Sequence, residues 1–255
     1  MSPLLAIRDL AVRYPNAALP SLDGVSLDLG AGERLAVIGE SGSGKSTLAL
    51  AVAGLLPKGT AVSGRIAWPG FEGQPASGRD TGFVFQDPGA SLDPVMRVGR
   101  QIAEVVRAHS GASWSEAHRA AVALIERVRL PEPARIAEAF PHQLSGGQRQ
   151  RIAIAAAVCA GPKLLIADEP TSALDTIVQA EIVSLIDGLA KADGMALVFI
   201  SHDIALASTI ADRVAVFRAG RMIEVGPTAD ILARPREAYT RALIEASVTP
   251  TGAVR

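Results

Sequence analysis

The sequence predicts an α/β fold: a mainly parallel sheet flanked by helices, with an antiparallel β element and an all-helical insertion. Three observations predict it. The short runs 35–38, 82–85, 164–167 and 196–200 are apolar, bounded by turn residues and free of polar alternation, as strands covered on both faces are. Longer segments with helical spacing lie between them. A stretch from about 98 to 140 reads as consecutive helices with no strand between.

The elements can be justified in chain order. Residues 4–12, 25–29 and 64–68, with Gly and Pro in their connections, suggest the all-β part. Residues 46–56 have helical spacing and stop at Pro57. In the helical stretch, Ser113-Trp114-Ser115-Glu116 is a capping box that opens the second helix, and Pro131-Glu132-Pro133 closes it. Residues 176–190 place Val178, Ile182, Leu185, Ile186 and Leu189 on one face, with Asp193-Gly194 beyond the end. Residues 214–217 and 222–225 flank Arg218-Ala219-Gly220-Arg221 as a hairpin. The expected organisation is one domain over 1–246, a helical subdomain inserted at about 98–144, and a disordered tail at 247–255.

Composition narrows the function. With 25 basic against 26 acidic side chains in 255 residues, the net charge of -1 provides no global positive field for nucleic acid. One cysteine, Cys159, can form neither an intramolecular disulfide nor a C-x-x-C metal site, which fits a reducing compartment. Although 49% of the residues are apolar, the greasiest stretch, 152–167, is broken by Gly161, Pro162 and Lys163. No membrane span is expected.

Three motifs carry chemistry. Gly39-Glu40-Ser41-Gly42-Ser43-Gly44-Lys45-Ser46 satisfies G-x-x-x-x-G-K-[ST] between a strand and a helix, and Thr47 follows it. Its glycines let backbone N–H groups wrap a phosphate at a helix N-terminus; Lys45 would reach the β and γ phosphates and Ser46 would ligate Mg²⁺. The run 164–167 ends in Asp168-Glu169, at the sheet edge where ligands bind. Asp168 is placed to hold Mg²⁺, and Glu169 to polarise a water against the γ-phosphate. In Leu144-Ser145-Gly146-Gly147-Gln148, Ser145 and Gln148 form a capping box for the helix that runs to Val158. Two glycines in the first turn cost roughly 1 kcal/mol each against alanine, and bare backbone there suits an anion.

A phosphate loop, then LSGGQ, then an apolar strand ending in Asp-Glu resembles the nucleotide-binding subunit of ATP-binding cassette (ABC) transporters, over nearly the whole chain. The resemblance implies a P-loop NTPase core and an ATPase. It implies that Tyr14 stacks on adenine, that Gln86 couples the Mg²⁺ site to membrane subunits, that Ser172-Ala173-Leu174-Asp175 crosses to a partner, and that His202 contacts the γ-phosphate. It further implies a dimer in which ATP on one phosphate loop is closed over by Ser145, Gly146 and Gly147 of the opposite subunit.

Phe85-Gln86-Asp87-Pro88, Ser91-Leu92-Asp93-Pro94, Val98-Gly99-Arg100-Gln101, Pro141-His142-Gln143 and Tyr239-Thr240-Arg241-Ala242-Leu243 resemble the importers of oligopeptides, dipeptides and nickel. Glu237-Ala238 stands where that group commonly has His-Pro, and the clustered cysteines of some peptide importers are missing. The implied partners are two membrane permeases, a second ATP-binding subunit and an extracytoplasmic solute-binding protein, with no nucleic acid. The implied location is peripheral, on the cytoplasmic face of the membrane. An ABC-type ATPase acting on nucleic acid or ribosomes is the alternative; coiled-coil insertions, zinc-binding cysteines or two cassettes in one chain would mark it.

Overall fold

The computed structural model describes residues 2–172 and 174–248. Its elements run β1 (Leu5–Arg13), β2 (Leu22–Leu29), β3 (Arg34–Ile38), α1 (Lys45–Ala53), β4 (Ala61–Ala67), β5 (Thr81–Val84), α2 (Pro88–Ser91), α3 (Val98–Ser110), α4 (Trp114–Arg127), α5 (Pro133–Ala137) and α6 (Gly146–Val158). They continue β6 (Leu164–Asp168), α7 (Thr176–Asp193), β7 (Ala196–Ser201), α8 (Ile204–Ser208), β8 (Arg213–Arg218), β9 (Arg221–Pro227), α9 (Thr228–Ala233) and α10 (Ala238–Val248). The chain divides into two compact units, Met1–Gln74 with Leu197–Arg255, and Pro75–Ala196.

In the first unit, β1 pairs antiparallel with β2 on one side and β4 on the other, which gives the expected all-β element. Separately, β3 lies parallel between β7 and β8, and β9 turns back antiparallel on β8 as the expected hairpin. Leu35, Ala36, Val37 and Ile38 are completely buried, so β3 is covered on both faces. Strand β4 begins at Ala61, three residues earlier than its sequence suggests. Most of it is exposed, so no apolar pattern announces its first half. Helix α1 ends at Gly54 in the left-handed conformation, ahead of Pro57; the N–H of Gly54 and that of Leu55 satisfy the last carbonyls. Helix α10 continues through Ser247 and Val248, two residues into the tail expected to be disordered, and the Ser247 hydroxyl donates to the Ile244 carbonyl. The remaining tail, 249–255, lies outside the described residues.

The second unit contains a parallel pair, β5 and β6, and every helix from α2 to α7. Leu164, Leu165 and Ile166 of β6 are fully buried, each contributing roughly 2 kcal/mol of hydrophobic stabilisation. The predicted helical stretch is present as α3 to α5, preceded by the four-residue α2. Trp114 opens α4 beneath the guanidinium groups of Arg107 and Arg100, 4.2 and 5.3 Å from its ring. Cys159 is a free thiol after α6, and burial pushes its pKa up to about 11.

The capping box of α4 forms as read. Ser113 Oγ accepts the Glu116 N–H, and Glu116 Oε2 accepts the Ser113 N–H at 2.9 Å. The Ser113 hydroxyl, which donates to Glu116 Oε2 at 2.7 Å, and then the Ser113 N–H hold the Glu116 carboxyl below the usual carboxylate range. The stabilisation is therefore complete above the ordinary carboxylate pKa and is lost as pH falls through the depressed one. Ser113→Ala should cost about 1 kcal/mol at neutral pH. In thermal melts the midpoint should fall by roughly 2–4 °C; an unchanged midpoint would mean the cap carries nothing.

Candidate functional site

In the first unit, the loop between β3 and α1 contains the predicted glycine-rich motif. Gly44 stands at the N-cap of α1 with φ 105, in left-handed space that a side chain rarely enters. A Cβ there would lie 2.5 Å from the Ser21 carbonyl oxygen. Lys45, only 3% exposed, opens the helix, and its Nζ donates to the Gly39 carbonyl at 2.7 Å and the Glu40 carbonyl at 2.8 Å. A buried ammonium held over a glycine-rich loop is a donor suited to an anion. The neighbouring Ser43 Oγ is buried without a hydrogen-bond partner. A triphosphate fits this donor set. Ser41 and Gly42 are exposed at the rim, Ser46 is half-buried and Thr47 is buried.

Tyr14 follows β1, and its hydroxyl lies 3.3 Å from the Thr47 hydroxyl, so the predicted adenine platform is tied to the first turn of α1. His202 is exposed directly after β7. Asp203 beside it caps α8 by accepting the Leu206 N–H at 3.0 Å, which fixes the turn carrying the histidine.

In the second unit, β6 delivers Asp168, buried, and Glu169, half-buried, at its carboxyl end. Glu169 has φ 45, a strained conformation for a residue with a Cβ, of a kind that collects at functional positions. Gln86, after β5, donates from Nε2 to Glu169 Oε2 at 3.3 Å. Asp87 then caps α2 by accepting the Gly89 N–H. Gln86 and Glu169 are both among the predicted site residues, but neither their contact nor the Glu169 strain has a local signal in the sequence.

Ser145 and Gln148 form the predicted box at the start of α6. Ser145 Oγ accepts the Gln148 N–H at 3.2 Å, and Gln148 Oε1 accepts the Ser145 N–H at 2.9 Å. The structure gives Gly147 a reason the anion argument missed: a Cβ there would meet Val178 of α7 at 3.0 Å. At Gly146 the nearest atom, on Leu174, would be 3.6 Å away, an ordinary contact, so packing does not require that glycine. Asp175 caps α7, and Ala173 of the same segment lies outside the described residues. Among the described residues, no three His, Cys, Asp or Glu side chains gather as a metal site.

A family model described as "ABC transporter" matches residues 22–172. The oligopeptide transport ATP-binding protein OppD of Bacillus subtilis is 42% identical over 96% of this chain and 72% of its own. The chain belongs to the ABC transporter family. A putative peptide import ATP-binding protein of Brucella melitensis is 40% identical, covering 95% of this chain and 77% of its own. The peptidoglycan transport ATP-binding protein YejF of Agrobacterium fabrum is 41% identical over 96% of this chain, which spans 47% of YejF. Among solved structures, a dimeric ATP-binding cassette in a post-hydrolysis state with ADP and Pi matches with a TM-score of 0.76 and 28% identity, over 88% of this chain and 98% of that one. The cbiO1 subunit of an ABC transporter complex from Clostridium perfringens matches at TM-score 0.78, also 28% identical, over 92% of both chains. This ABC protein thus has the nucleotide-binding fold of its family and is an ABC-type ATPase.

Proposed function

We propose that this ATPase powers uptake of peptides through separate membrane permease subunits, as a peripheral subunit at the cytoplasmic face of the membrane. The hydrogen bond between Gln86 and Glu169 carries the reading. It joins the group assigned to water activation with the one assigned to sensing the permease, so movement of the Gln86 segment can reposition the carboxylate. The peptide-transport names of relatives at 40% and 42% identity support the cargo class over nickel, and support transport over nucleic-acid or ribosome work.

In this reading Lys45 leaves its loop carbonyls for the β and γ phosphates, and the loop N–H groups cradle them. Tyr14 stacks on adenine. Ser46, Gln86 and Asp168 are the residues assigned to Mg²⁺, which when bound would neutralise phosphate charge and polarise the γ-phosphate. Glu169 takes the proton of the attacking water, and His202 contacts the γ-phosphate. Ser145, Gly146, Gly147 and Gln148 present the α6 N-terminus to ATP on a second ATP-binding subunit. An extracytoplasmic solute-binding protein supplies the cargo.

The permease would dock on a groove of about 790 Å³ in the helical part, lined by Val95, Met96, Arg97, Trp114 and Phe140. Val95 is 82% exposed and Trp114 46%, an apolar surface a partner would cover. Val95→Glu should abolish co-purification with the permeases and leave ATP binding unchanged. Vesicles holding the permeases, this subunit and its ATP-binding partner, supplied with the solute-binding protein, should import peptide only with ATP; import of nickel and not peptide, or no response of ATPase to the permeases, defeats the proposal.

A further inference from the structure

The Tyr-Thr-Arg-Ala-Leu segment at 239–243 has no part in the cycle above. In the structure it opens α10, and the Tyr239 hydroxyl accepts the backbone N–H of Glu40, in the phosphate loop, at 3.0 Å. That N–H belongs to the same peptide unit whose carbonyl, on Gly39, accepts from Lys45 Nζ at 2.7 Å. The peptide is therefore gripped at both edges, by the lysine on its oxygen and by the C-terminal helix on its nitrogen.

The grip is itself supported. A Cβ on Gly39 would lie 2.2 Å from the Phe217 carbonyl oxygen, so the peptide is pressed against the end of β8. The next residue, Arg218, lays its guanidinium 4.9 Å from the Tyr239 ring centre. From β9, Glu224 accepts the N–H groups of Arg236 at 2.8 Å and Glu237 at 3.3 Å, which anchors the chain just before α10. Burial opposes ionisation of Glu224, yet the hydrogen bonds it accepts hold its carboxyl below the usual range. A carboxylate thus secures the start of the helix that carries Tyr239.

We propose that Tyr239 is a positioning residue for the phosphate loop: once Lys45 leaves the Gly39 carbonyl for ATP, the Tyr239 hydroxyl keeps the Gly39–Glu40 peptide from rotating. Without it, only a fraction of the loops are ready for phosphate, and apparent affinity falls by that fraction. The inference rests on the assignment of the loop to ATP and adds the C-terminal helix as a determinant of its affinity.

The test uses the full chain and a fluorescent ATP analogue. Tyr239→Phe should weaken binding about threefold to tenfold, the range of one hydrogen bond. Its thermal midpoint should stay within about 3 °C of the parent, and exchange at the Glu40 amide should speed up while α10 amides are unaffected. Lys45→Ala separates the levels: if it abolishes binding while Tyr239→Phe binds like the parent, the inference fails and the loop assignment stands. If Lys45→Ala also binds like the parent, the assignment and the inference fail together. A Glu40 amide that exchanges at solvent rate in the ATP-bound parent overturns the inference with no variant at all.

Discussion

Glu169→Gln should lower ATP turnover by a factor of about a hundred or more while leaving ATP binding intact. Removing a general base typically costs a factor of about 10² to 10⁴. The amide keeps the carboxylate's shape and can still accept from Gln86 Nε2, which lies 3.3 Å from Oε2, but it cannot take a proton from water. The backbone argues for the same assignment. Glu169 is one of few described non-glycine residues with positive φ, and it sits between the buried β6 and the buried Pro170. Local strain of about 1–3 kcal/mol persists only where the surroundings enforce it. Turnover is to be measured in the purified transporter complex and affinity by equilibrium binding. A variant within threefold of parental turnover would remove Glu169 from the chemistry, and a variant that no longer binds ATP would show that the substitution disturbs the site.

A large effect on folding is expected at Gly44. An alanine there would be forced to φ 105, with its Cβ 2.5 Å from the Ser21 carbonyl oxygen and 2.9 Å from Leu22 Cδ2. The first of these is backbone paired to the β1–β2 region, since the Ser21 N–H donates to the Val12 carbonyl at 2.7 Å, and it has little room to give. Strain and overlap together should destabilise by about 3 kcal/mol. For a chain of this size that lowers the midpoint by roughly 6–12 °C without nucleotide. ATP binding should also be lost, because Lys45 begins on the next residue. Gly42→Ala is the control: its φ is 78, but nothing lies within 4 Å of the added Cβ, so only the backbone term of about 1–2 kcal/mol applies. If the two variants melt together, the crowding at Gly44 is not what holds the loop.

Much of the fold is legible in the sequence because its determinants are local. The apolar runs became β3, β5, β6 and β7, since strands covered on both faces have no polar positions. The caps at Ser113 and Ser145 form as their spacing requires, because each needs only its own first turn. Strand β4 was half missed because it is exposed, and helices α8 and α9, of five and six residues, are too short to show a period. Among the site residues, the phosphate loop and the acids after β6 are legible because phosphate chemistry imposes close spacing on them.

What only the tertiary structure decided lies between residues far apart in the chain. Gln86 and Glu169 are 83 positions apart, and Glu40 and Tyr239 are 199 apart. Glycine at 147 looked like an anion surface and is also crowded by Val178 on the neighbouring helix, 3.0 Å from where a Cβ would lie. By itself the sequence determined most of the strands and longer helices and pointed to the residues proposed to hold a phosphate, since both follow from periodicity and short-range geometry. Which distant side chain holds the glutamate that would activate water, and which helix holds the Gly39–Glu40 peptide, follow from how the elements pack. No spacing rule along the chain contains that information.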